Sequence, residues 1–140
     1  MQLIPIKENI YENTAFIDSA DCADSLFMTV EFFKKIGYHP PWIGYYAQTD
    51  EGLVGSAAYK GKPVNGKVEI AYGTFPNHRN KGIGAEICRQ LVLLSLQTDP
   101  SLVITARTLP QESYSTKILK KNNFRLLGSV QDPEDGEVWE

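Results

Sequence analysis

The sequence predicts an α/β (α+β) fold, a mixed, mostly antiparallel central sheet flanked by helices. Three observations lead there. Apolar residues recur at helical spacing in three separate stretches of the 140 residues. Between those stretches they alternate or cluster over strand lengths. The turn signals Asn65-Gly66 and Asp135-Gly136 each join two strand candidates. No repeat, low-complexity tract or charge run divides the chain, so a single domain over residues 1–140 is expected.

The elements follow in order. After a brief apolar start at Leu3, Ile4 and Ile6, residues 18–35 carry Leu26, Phe27, Val30 and Phe33 at helical spacing, and Gly37 and Pro40-Pro41 end that pattern. Residues 42–48 and 53–60 are strand candidates separated by an Asp50-Glu51-Gly52 turn, and Asn65-Gly66 leads into a third over residues 67–75. In that third strand Val68, Ile70 and Tyr72 point one way and Glu69, Ala71 and Gly73 the other. A helix over residues 82–97 follows from Ile83, Ile87, Leu91 and Leu94. Residues 102–106 predict a buried strand. Residues 108–122 predict another helix, with a Thr108/Gln111 capping box at its start. Residues 124–130 and 137–139 predict a closing hairpin.

Composition narrows the function. With 14 Lys+Arg against 17 Asp+Glu, the net charge of -3 leaves no basic stripe for nucleic acid and is too small for a disordered chain. Cys22 and Cys88 form no CxxC pair, and His39 and His78 are the two histidines, so neither a metal centre nor a disulfide framework is expected. The N-terminus lacks a basic head followed by an apolar run, and no stretch approaches the roughly 18 apolar residues of a membrane span. A cytoplasmic monomer or homodimer without membrane contact is expected.

Chemistry concentrates in Val68–Val92, which runs strand, Pro76, basic turn, Gly82 and Gly84, amphipathic helix. Glycines allow close backbone approach, and a helix start supplies N–H groups and about half a positive charge, so the turn suits a diphosphate. Arg79 and Lys81 add full charges beside it. Ile87 stands where GxGxxG would need its third glycine and there is no GxxxxGK, which weakens dinucleotide and P-loop readings. Two glycines that merely permit a tight turn are the competing explanation.

The string Arg79-Asn80-Lys81-Gly82-Ile83-Gly84-Ala85 resembles the R/Q-x-x-G-x-G/A signature of the GNAT superfamily of N-acetyltransferases. Downstream, Pro110, Ser115, Ile118, Leu119, Lys121 and Phe124 resemble the t-x-PeNxxSxxvLeKxGF element of the branch typified by ribosomal-protein N-terminal acetyltransferases. Two positions depart from that element, Glu112 replacing an asparagine and Asn123 a glycine, and Leu119 stands where relatives in other branches have a thiolate-protonating tyrosine.

The resemblance implies a GNAT-like acyl-CoA N-acyltransferase fold. It implies acetyl transfer from acetyl-CoA to a primary amine (a protein N-terminus, a lysine or a small-molecule amine) by direct attack in a ternary complex. It places the acetyl-pantetheine arm at Thr74 and Phe75, an oxyanion-holding N–H near Phe75, and the pyrophosphate on Arg79, Asn80, Lys81, Gly82, Ile83, Gly84 and Ala85. Glu69 is the candidate general base, on the strand face with small neighbours Ala71 and Gly73, and Ser115 is a candidate to contact the thiolate or the arm. For each, a solvated surface residue without a role is the alternative. For the whole chain, the alternative is a non-catalytic CoA-binding or regulatory module. The basic turn and the acids of the closing hairpin favour a cationic acceptor.

Overall fold

A computed structural model describes residues 1–140. Its main sheet has the order β1 (Gln2–Pro5), β2 (Gly44–Thr49), β3 (Gly52–Tyr59), β4 (Lys67–Thr74) and β5 (Val103–Ala106). β1 to β4 are mutually antiparallel, and β5 joins parallel to β4. This is the mixed, mostly antiparallel sheet expected. Asn65 and Gly66 both take positive φ, 52° and 76°, as a two-residue hairpin turn requires. β1 is an addition: the short apolar start pairs with β2 from Gln2 opposite Gln48 to Pro5 opposite Tyr45.

Helices cover both faces. α1 (Thr14–Ile17) and α2 (Ala23–Ile36) lie on one. The Tyr46 hydroxyl of β2 reaches Ser25 Oγ at 2.6 Å and the Cys22 carbonyl at 3.1 Å there, and burial pushes that phenol up to about 12. α3 (Ile83–Thr98) and α4 (Tyr114–Lys121) lie on the other face, where the Tyr59 hydroxyl donates to the Leu91 carbonyl of α3. Tyr46, Val54, Ile87, Cys88 and Leu91 are fully buried between these layers.

Three expected boundaries move. The first long helix begins at Ala23 rather than Asp18, because residues 19–22 form a turn in which the Cys22 N–H donates to the Ser19 carbonyl at 3.1 Å. The last helix begins at Tyr114, not Thr108. Thr108 exchanges both backbone bonds with Trp139, at 2.9 and 2.8 Å, and a residue held in a ladder cannot open a helix. The capping box is instead Ser113 with Thr116. The closing hairpin, β6 (Ser129–Asp132) with β7 (Gly136–Trp139), starts later than residue 124 and forms its own two-stranded sheet, tied to the chain after β5 through that Thr108–Trp139 pair.

Candidate functional site

The turn between β4 and α3 is built for close backbone approach. Pro76–His78 form one 3-10 turn, after which Asn80 and Gly82 take left-handed φ of 65° and 75°. Asparagine and glycine are the residues that enter this region most readily. Gly82 caps α3 without a side chain, so no cap occupies the N–H groups of Ile83, Gly84 and Ala85, which have no intrahelical acceptor. Arg79, Asn80, Lys81 and Gly82 are exposed. The acid in the first turn of α3, Glu86, is turned away: Arg89 grips it through Nε and Nη2 at 2.9 and 2.8 Å, holding its carboxyl down to about 2. Lys81 is half-compensated, with its ammonium 3.5 Å from Glu51 of the β2–β3 turn. The same carboxylate lies 3.9 Å from His78 Nδ1, a buried nitrogen with no hydrogen-bond partner.

The two glycines have different tasks. A Cβ at Gly82 would meet nothing within 4 Å, so its need is conformational. A Cβ at Gly84 would lie 2.7 Å from Ile118 Cδ1 of α4 and 3.3 Å from Thr74 Oγ1, so Gly84 lets α4 and the end of β4 close on α3. Gly84→Ala is expected to be tolerated, since the end of the Ile118 side chain can swing away. Gly84→Val is expected to cost about 1–3 kcal/mol by overpacking, seen as a Tm lowered by several degrees in a thermal melt.

Beside this turn the sheet opens. The β4–β5 ladder runs from Lys67 opposite Val103 to Ile70 opposite Ala106 and stops, while β4 continues to Thr74. Alternation decides which backbone groups face the opening. The Glu69 carbonyl accepts from Lys60 and the Phe75 N–H donates to the Val54 carbonyl, both at 2.9 Å, so the odd-numbered residues of this stretch point toward β3. Tyr72 and Thr74 therefore aim their N–H and C=O groups at the vacated β5 side. The oxyanion donor expected near Phe75 is therefore not the N–H of Phe75 itself, which is spent in the sheet, and its buried ring packs 6.1 Å from that of Tyr46. The Tyr72 side chain crosses to α4, its hydroxyl donating to the Ser115 carbonyl at 3.3 Å. Burial pushes that phenol well up, so it stays protonated. The Ser115 side chain itself is exposed at the start of α4.

Glu69 lies opposite Thr105 of β5, one residue before the ladder ends. Its face of the sheet carries Ala71 and Gly73, paired across β3 with Ala58 and Ser56, a floor of small side chains on the α2 side. Burial raises its carboxyl pKa above the ordinary range, with Arg107 and Lys60 pulling it back and Asp132 and Glu140 adding to the rise. Arg107, just after β5, donates to Glu140 through Nε and to Asp132 through Nη1, each at 3.1 Å, whereas Glu69 Oε1 stands off at 3.7 Å. Arg107 and the Glu51 contact escaped the sequence reading because both depend on pairings distant along the chain. The parity of Tyr72 and Thr74 could have been worked out once β3 was assigned as the neighbour of β4.

An apolar cavity of roughly 100 Å³ lies between β5, α4 and the closing hairpin, with Ile104, Leu119, Phe124, Leu127 and Trp139 among its lining. Ala106, where the β4–β5 ladder ends, also lines it, and no β4 residue does. Asn123 takes φ 69° and ends α4 as asparagine can. No group of three or more His, Cys, Asp or Glu side chains is arranged to hold a metal ion, and no helix is long and apolar enough to cross a membrane.

No family model matches the chain. A protein of Bacillus subtilis (strain 168), the uncharacterized N-acetyltransferase YjdG, is 30% identical over 130 residues, 86% of this chain and 74% of that protein. Among solved structures, the aminoglycoside acetyltransferase AAC(6')-Ib with coenzyme A superposes with TM-score 0.59 at 22% identity over 69% of this chain, which spans 63% of that one. The same enzyme with paromomycin and acetyl-CoA gives TM-score 0.68 at 18% identity, covering 99% of this chain and 90% of the other. A ribosomal-protein-alanine N-acetyltransferase from Brucella melitensis gives 0.64 at 16% identity over 99% and 96%. These structural likenesses carry the fold.

Proposed function

The chain belongs to the GNAT family of N-acetyltransferases, and from that premise we propose that its residues 1–140 act as one unit that transfers an acetyl group from acetyl-CoA to a primary amine by direct attack in a ternary complex. The observation that carries the reading is the opened sheet: the β4–β5 ladder ends at Ile70–Ala106 beside a turn whose Asn80 and Gly82 are left-handed at the start of α3. The residues fit the ligand. Uncapped N–H groups from Ile83 to Ala85, with Arg79 and Lys81 beside them, suit a diphosphate, and the backbone edge of Tyr72 and Thr74 beyond the β4–β5 ladder suits an amide-bearing arm.

Acetyl-CoA would supply an acetyl thioester, activated toward attack by an amine. The rest falls to the chain. The N–H of Tyr72 or Thr74 is placed to hold the oxygen that gains charge, in a site where a fixed donor needs no reorganisation. Glu69, ionised, accepts the ammonium proton through a water, since it sits one residue short of the opening. The Tyr72 hydroxyl, which donates to the Ser115 carbonyl at the first turn of α4, and the exposed Ser115 hydroxyl are the candidate donors to the departing sulfur. A cationic acceptor is favoured: Glu69, Asp132 and Glu140 surround Arg107, three carboxylates against one guanidinium.

The test is thiol release from acetyl-CoA across a panel of an N-terminal peptide, a lysine peptide and polyamines, with CoA binding measured separately by calorimetry. Amine-dependent release is expected. CoA binding without release on any amine would leave a non-catalytic CoA module, and absence of CoA binding would remove the reading altogether.

A further inference from the structure

We propose that Arg107 is a positioning residue for Glu69: clamped by Asp132 and Glu140 of the closing-hairpin region, it holds a fixed positive charge 3.7 Å from the Glu69 carboxylate beside the opening while its own hydrogen bonds are spent elsewhere. This rests on the reading of Glu69 as the base. The geometry supplies the argument. Arg107 has one Nε–H, and it is donated to Glu140 at 3.1 Å, so Glu69 at 3.7 Å from the same nitrogen lies beyond a hydrogen bond. Nη1 goes to Asp132 Oδ2 at 3.1 Å. Asp132 is itself immobilised, because its Oδ1 accepts the backbone N–H groups of Glu134 and Asp135 at 2.8 and 3.2 Å. The hairpin turn thus anchors one carboxylate, that carboxylate anchors the guanidinium, and the guanidinium faces Glu69 without closing on it.

A base locked in a bidentate fork with arginine would be held strongly ionised and too weak to take a proton from an ammonium group. A base with no cation nearby, half-buried as Glu69 is, would have its pKa raised further by burial. The clamped guanidinium opposes that rise without closing on the carboxylate. The charged groups facing Glu69 are Lys60 from the β3 side, Arg107 after β5, Asp132 of β6 and Glu140 after β7. Asp132 lies on β6 and Glu140 follows β7, so the hairpin contributes two carboxylates to the surroundings of Glu69.

The test uses the full chain with labelled glutamate side chains, following the Glu69 carboxyl carbon by NMR against pH, the signal being assigned by its loss in Glu69→Gln. Arg107→Met is expected to raise the titration midpoint by about 0.5–1 pH unit, whereas Asp132→Asn and Glu140→Gln lower it by a similar amount. Arg107→Lys keeps the charge but loses the fork, so it is expected to leave the midpoint near the wild-type value while kcat falls about tenfold with the KM for acetyl-CoA unchanged. Shifts of opposite sign from the two sides of one ion pair are not produced by general loosening of the fold. No shift, or shifts of one sign in all variants, would overturn the proposal. If Arg107→Met does not fold, the hairpin variants carry the test by their own sign. A chain that releases no thiol on any amine would sink the acetyltransfer reading while the titration still decides whether the clamp governs Glu69.

Discussion

Gly82→Asp is expected to abolish CoA binding while Gly82→Asn retains most of it. Both replacements meet the same backbone, φ 75° and ψ 10°, and both belong to the residues that accept left-handed geometry with least strain, at about 1 kcal/mol. Neither collides, since nothing lies within 4 Å of a Cβ there. They have nearly the same shape and differ by one negative charge. A carboxylate at the capping position lies against the N–H groups of Ile83, Gly84 and Ala85, where it repels a diphosphate. At about 5 Å and the effective permittivity near a protein surface, each like-charge pair costs about 3 kcal/mol, enough to lower affinity 100-fold or more. Calorimetric titration with CoA at low and high salt measures it, and salt should narrow the difference between the variants. Equal losses in Asn and Asp would point to the backbone rather than to charge, and unchanged affinity in both would move the diphosphate away from this turn. Gly84 makes a poorer probe, because its buried position against Ile118 mixes packing with binding.

That contrast between the two glycines also marks what a sequence can carry. The turn was legible because its requirements are local: a strand end, a proline, residues able to take positive φ and a helix start, all within ten positions. The two faces of β4 were legible for the same reason. Val68 and Ile70 are buried as their alternation demands, while Glu69, Ala71 and Gly73 keep some exposure. Which edge each N–H faces was not legible, because parity acquires direction only when the neighbouring strand is known. That step separates Phe75, whose N–H is spent on Val54, from Tyr72 and Thr74, whose groups face the opening. The start of α4 shows local preference losing to distant pairing: the signal at Thr108 was overridden by Trp139. The clamp lies furthest from a sequence reading, since Arg107 finds its carboxylates 25 and 33 residues away.

Glu69→Gln is expected to lower kcat/KM for a lysine-type amine by about 100-fold near pH 7, and by much less near pH 10. The sign follows from which proton must leave. A lysine-type acceptor is almost wholly ammonium at neutral pH, with a pKa of about 10.4. On the proposed mechanism the wild-type enzyme would bind that cation and remove its proton at the site, which requires ionised Glu69. Its activity therefore falls as pH drops through the carboxyl pKa, which burial holds above the ordinary glutamate value. Glutamine keeps the side chain's size and a hydrogen-bonding oxygen but takes no proton. The variant must then wait for the small fraction of acceptor that is neutral in water, so its rate climbs about tenfold per pH unit until the amine itself titrates. Near pH 10 that restriction has almost vanished, and the two enzymes converge. An amino-terminal acceptor, with a pKa near 8, is expected to bring the convergence down by about two pH units. A pH profile of kcat/KM with both acceptors, run on both proteins, separates this from a structural effect. A loss of the same size at every pH, or a convergence point indifferent to the acceptor, would show that Glu69 shapes the site without taking the proton.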